Sequence, residues 1–153
     1  MSEKQADRWK GLKKLLSPEE SAALALTIEE TECRTSAEIK VVIIRRCLGD
    51  LRDKAMRTFH KLGLDETEQR NCVMIMLATA AREFLIFGDE GIHEKVGQGF
   101  WDEVRDRMGE LFRQGRFGEG LCEGVRMAGE KLAEHFPARA VEVDEISDEV
   151  AYE

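Results

Sequence analysis

Apolar residues recur along this chain in two rhythms, and the switches between them predict its elements. The segment Glu38-Ile-Lys-Val-Val-Ile-Ile44 is β-branched and almost continuously apolar, the pattern of a strand covered on both faces. Val73–Ala78 repeats that pattern. Glu83–Phe87 follows after a short link around Thr79–Arg82, so the second and third strands are expected to form an antiparallel hairpin. Between the first two strands, Leu51, Ala55, Phe59 and Leu62 recur at helical spacing and Gly63 supplies a stop. A helix joining two strands favours a parallel crossover.

The flanking segments are helical. Ser17-Pro18-Glu19-Glu20 combines a capping serine, a proline suited to the first helical position and a glutamate that completes the capping box, so a helix should run from here to about Cys33. After Gly88, Trp101, Val104, Met108, Leu111 and Phe112 mark one helical face. Phe117, Leu121, Val125, Ala128, Leu132 and Phe136 mark a last one, ending at Pro137. Small residues at Gly120, Gly124 and Ala128 should let that last helix pack closely, most simply on the protein's own sheet. The order α-β-α-β-β-α-α predicts a three-layer α/β/α sandwich on a small mixed sheet, containing a parallel β-α-β unit and a β-hairpin. Three stretches follow: an amphipathic segment at 1–16, an α/β domain at 17–137 and an acidic tail at 138–153.

Composition narrows the function classes. With 153 residues and 42% hydrophobic content, the chain can bury the core of one domain. Net charge is −8, of which the tail carries −5, leaving a body near −3 without the basic footprint of a nucleic-acid binder. The first residues lack an apolar h-region, and no apolar run reaches membrane-spanning length. The expected setting is therefore cytoplasmic, with no integral span, and Cys33, Cys47, Cys72 and Cys122 read as reduced core residues. Trp9, Leu12, Leu15 and Leu16 form an apolar stripe among lysines and an arginine. That stripe suits docking on the domain, a protein partner or peripheral membrane contact. The acidic tail suits a basic partner or free solvation.

The candidate chemistry comes from topology. Glu38 opens the first strand, Asn71 precedes the parallel second, and Asp89 follows the antiparallel third, which brings all three to the same edge of the sheet. Asp102 begins the next long helix. Carboxylate and amide oxygens are hard ligands suited to Ca²⁺ and, second, to Mg²⁺. The competing reading is structural: Asp89 and Asp102 cap turns or helices, and Glu38 pairs with an arginine such as Arg70. The cluster also lies opposite the strand ends where ligands of open α/β sheets usually bind. No C-x-x-x-x-x-R loop or D-x-D pair supports a covalent phosphatase, and His93, a conceivable acid or base, reads more simply as a surface residue.

Read in order, LSPEESAAL, TSAEIKVVI, QRNCVMIMLA, FLIFGDEGIHEKVG and FWDEVRDRMGELFRQGRFGEGLCEGV with its closing EHFP resemble the TPM domain family, and especially its short unanchored bacterial members. The resemblance runs from about Leu16 to Pro137. It implies a three-layer α/β/α fold, calcium binding in some members and a weak acid phosphatase activity in some. The matching acidic and amide positions are Glu38, Asn71, Asp89 and Asp102. Cys72 departs from the family pattern, which usually has glycine after the asparagine, and the anchor of many members has no counterpart here. The resulting expectation is a divalent-cation-binding domain of regulatory or accessory role. An interaction or assembly protein without site chemistry is the alternative, and a weak metal-dependent acid phosphatase ranks third.

Overall fold

A computed structural model describes residues 15–97, 99–138, 146 and 148–153. Helix α1 (Pro18–Glu32) begins with the capping box expected from its sequence: Glu20 N donates to Ser17 Oγ at 3.0 Å, and Ser17 N donates back to Glu20 Oε1 at 3.1 Å. Strand β1 (Glu38–Ile44) and strand β2 (Cys72–Ala78) are buried along their whole lengths and pair in parallel, Glu38 opposite Cys72 through Ile44 opposite Ala78. Helix α2 (Leu51–Lys61) connects them and ends as Gly63 takes a left-handed conformation, followed by a 3₁₀ turn at Leu64–Glu66. Strand β3 (Glu83–Gly88) returns antiparallel to β2.

Helices α3 (Glu90–Val96), α4 (Asp102–Arg113) and α5 (Phe117–His135) follow, and strand β4 (Ala151–Tyr152) closes the described chain. The sheet order is β3-β2-β1-β4. Because side chains alternate along a strand, β1 feeds two cores. Ile39, Val41 and Ile43 join Val73 and Ile75 beneath α1, α4 and α5. Val42 and Ile44 join Met74 and Met76 beneath α2, with Phe59 at the centre. This is the three-layer α/β/α arrangement that the two rhythms imply.

Several details refine the sequence reading, among them the helix α3, which the expected element order lacks. A fourth strand comes from the acidic tail: Ala151 and Tyr152 pair in parallel with Val42 and Ile43, an element too short and too acidic in its surroundings to announce itself. The glycines of α5 serve helix packing rather than the sheet. A Cβ on Gly124 would lie 2.4 Å from Met108 Sδ of α4, and one on Gly129 would lie 2.0 Å from Thr31 Cγ2 of α1. All four cysteines are free, as expected, but only Cys72 and Cys122 are buried, while Cys33 is exposed beyond the end of α1. Finally, Leu16 belongs to the main core at 2% exposure, and Leu15 packs against it. The rest of the 1–16 stripe lies outside the described residues.

Candidate functional site

Backbone register places Glu38, Asn71 and Asp89 at the same end of the sheet, where β1 and β2 begin and β3 finishes. Glu38 N donates to Asn71 O at 3.3 Å, and Asp89 N donates to Cys72 O at 3.0 Å. All three residues are buried, Asn71 completely.

Their side chains nevertheless have different partners. Arg70 holds Asp89 through one edge of its guanidinium, Nε donating to Oδ2 at 2.8 Å and Nη2 to Oδ1 at 3.0 Å, while Nη1 lies 3.4 Å from Glu90. The paired carboxylate raises the Arg70 pKa above its ordinary value. Asp89 also caps α3 by accepting from Glu90 N at 2.8 Å. Arg70 adopts a left-handed backbone with φ of 50°, and its carbonyl accepts from Gly91 N at 2.9 Å. Gly91 is required by this approach, since a Cβ there would sit 2.2 Å from Gln69 O. Arg70 therefore serves Asp89, rather than Glu38 as the structural reading of the sequence had it.

Glu38 belongs to a second group on the β4 side of β1. Glu32, the last residue of α1, accepts from Ile39 N at 2.8 Å, and its carboxyl lies in hydrogen-bonding reach of both Asp148 and Glu38. Burial, joined by those two acidic neighbours, pushes the Glu32 pKa up to about 11, so this carboxyl holds a proton at neutral pH. Lys40, two residues along β1 on the same face as Glu38, donates from Nζ to Glu149 O at 2.7 Å. Burial lowers its pKa, while Glu149 opposes that shift. Burial, followed by the Glu38 charge, holds the Cys72 thiol far above its usual range. A cysteine here is thus a neutral packing group rather than a nucleophile.

Two buried oxygens at this end, Asn71 Oδ1 and Asp148 Oδ1, make no hydrogen bond among the described residues. Among the described residues the Asn71 amide nitrogen reaches only Ser36 Oγ, at 3.5 Å. Buried polar atoms are usually satisfied, so such orphans mark a place where a further group fits. Among the described residues, however, no three or more His, Cys, Asp or Glu side chains are already arranged to hold a metal ion.

Asp102 stands apart from this end. It is 61% exposed at the start of α4, paired with Arg105, and lines a cleft of about 570 Å³ together with Gly88, His93 and Trp101. Sequence reasoning missed Glu32, Lys40 and Asp148. The first had a signal, an acid ending a helix just before the strand that Glu38 opens. Asp148 had none, because its place depends on the short β4 pairing.

The TPM domain family model matches residues 12–131. Among solved structures, the BA42 protein of the psychrophilic bacterium Bizionia argentinensis is 36% identical over 90% of this chain and 95% of its own, with a TM-score of 0.87. The N-terminal domain of a P. gingivalis protein is 21% identical over 83% of each chain, with a TM-score of 0.69. That of a Corynebacterium glutamicum protein is 13% identical over 84% of this chain and 80% of its own, at 0.63; these last two speak to fold alone. No curated protein matches. Among the described residues, no helix is long and apolar enough to cross a membrane.

Proposed function

The chain belongs to the TPM domain family, and from that premise we propose that it is a divalent-cation-binding domain of accessory or regulatory role, with Ca²⁺ preferred to Mg²⁺. The observation that carries the reading is the group of buried carboxyls around Glu38. Burial, joined by the approach of Asp148 and Glu38, keeps a proton on Glu32, and the orphaned oxygen of Asn71 lies at the same end of the strands. Three acids brought together in a buried site repel unless something positive separates them, a part that the Glu32 proton and Lys40 can take.

The donors fit a hard cation: every one is a carboxylate or amide oxygen. A bound divalent ion would supply positive charge in place of the proton on Glu32. Glu38, Glu32 and Asp148 would hold it, with Asn71 at the same end of the strands as a further oxygen donor. The chain's own part is to give up the Glu32 proton and to turn the side chains inward, while β1 and the end of α1 fix their backbones. Asp89 and Asp102 contribute less to this reading than the sequence suggests, because Arg70 and Arg105 already balance their charges. His93, exposed beside the cleft, gives no reason to prefer the phosphatase reading.

Thermal unfolding of metal-stripped protein with and without Ca²⁺ tests this. A ligand specific for the folded state, present at about 100 times its dissociation constant, stabilises by about 2.7 kcal/mol. The reading expects a raised Tm with Ca²⁺, a smaller rise with Mg²⁺, and none in Glu38→Gln. An unchanged Tm at millimolar Ca²⁺ refutes it.

A further inference from the structure

Strand β3 ends the sheet on one side, and its exposure contrasts with the fully buried β1 and β2: residues 84–87 are only partly covered. The bond from Asp89 N to Cys72 O fixes which of its backbone groups are used. In an antiparallel ladder hydrogen-bonded pairs alternate with non-bonded ones, so with Asp89 opposite Cys72 the residues 87, 85 and 83 bond to β2. The N–H and C=O groups of Phe84 and Ile86 therefore point away from the sheet along an open edge, and those of Gly88 face the same way at its buried end.

Arginines border this edge from both layers. Arg52 of α2 lies over the Phe87 ring, 6.0 Å from its centroid, and has no carboxylate partner among the described residues. Arg105, at the start of α4, lines the same cleft as Arg52, Ile86 and Gly88. Farther along α4, Arg113 comes within 3.4 Å of where a Cβ on Gly109 would sit, beside Phe84, and it too has no carboxylate partner among the described residues. Asp102 neutralises Arg105, which leaves the charges of Arg52 and Arg113 uncompensated. The Trp101 ring adds an apolar wall to the cleft.

We infer that the β3 edge is a docking site for an extended acidic segment of another protein, which adds as a strand beside Phe84–Gly88 and sets its carboxylates against Arg52 and Arg113. Main-chain bonds to an open edge supply affinity without demanding a sequence, and flanking side chains then select the partner. Charge decides between occupants. A second copy pairing through the same edge would bring its own arginines against these, and like charges on an edge strand act against self-pairing. An acidic strand meets complementary charge. This inference stands apart from the cation reading: it uses the opposite side of the sheet from β4 and none of the carboxyl group around Glu38.

The test is an amide NMR titration of the full chain with a blocked synthetic peptide of alternating threonine and glutamate. Its controls are the threonine–lysine counterpart and the surface variant Arg52→Glu. The expected result is shifts at the amides of Phe84, Ile86 and Gly88, slowed hydrogen exchange there, no response to the lysine peptide, and binding weakened about tenfold in Arg52→Glu. The variant's spectrum away from β3 reports that its fold is kept. Absence of shifts, shifts centred elsewhere, equal binding by Arg52→Glu or by the lysine peptide, or concentration-dependent shifts of the same amides without peptide would each overturn it.

Discussion

At the scale of single residues, the end of the sheet divides its acids between two kinds of neutralisation. Asp89 is balanced by a guanidinium and by a helix N-terminus, whereas Glu32 is balanced by a proton. These respond differently to substitution. Asp89→Asn keeps a good cap and loses the charge, while Asp89→Ala loses both, so the alanine variant should be the less stable by about 1 kcal/mol in chemical denaturation. Glu32 predicts a pH effect whose sign follows from its raised pKa. Its contribution to stability is fully present below the unfolded value of 4.5 and is lost as pH rises toward about 11. Glu32→Gln, which mimics the protonated carboxyl, should therefore match the wild type near pH 4.5 and become relatively more stable above it. The gain should not exceed about 1.4 kcal/mol per pH unit for one proton, and solvent around the half-buried side chain reduces it. Parallel pH–stability curves for the two proteins would contradict the proton assignment. Of these roles, the position of Asp89 and its part as a helix cap were legible in the sequence. Which arginine it meets depends on Arg70 adopting a left-handed backbone, a conformation that composition does not announce.

Elements were the most legible scale. The strands appear within a residue of their expected bounds because a buried strand must be apolar on both faces, and Ser17-Pro18 and Gly63 mark their helix ends through capping and conformational freedom. What pattern could not give was the partner of each small residue. Gly91→Ala would drive a Cβ into the backbone oxygens of Gln69 and Arg70, which cannot rotate away. It should cost about 1–3 kcal/mol or more and disturb the Arg70–Asp89 pair. Gly124→Ala meets first the flexible Met108 side chain and should cost less, an order that Tm values of the two variants would check. Strand β4 was illegible because two residues carry no periodicity. Its anchors are tertiary: Lys40 to Glu149 O, and Tyr152 Oη to Ser21 Oγ at 3.3 Å. Removing residues 146–153 should lower stability by about 1–3 kcal/mol, measured by denaturant unfolding, since it uncovers Lys40 and the edge of β1.

For the whole molecule, the order of strands and helices was enough to bring Glu38, Asn71 and Asp89 to one end of the sheet, because parallel and antiparallel connections fix which strand ends coincide. It was not enough to say which acids share a space. The cluster depends on α1 ending beside β1 and on the chain returning after α5 to lay Asp148 alongside, and that return leaves almost no trace in the hydrophobic pattern. If the carboxyl group is a cation site, Ca²⁺ takes the place of the proton on Glu32 beside Glu38 and Asp148. Calorimetric titration of the metal-stripped protein with Ca²⁺ at pH 7, in buffers of different ionisation enthalpy, measures this directly. The account predicts saturable binding with close to one proton released per ion, and none released by Glu32→Gln. Binding with no dependence on the buffer, or no binding heat in any of them, would contradict it.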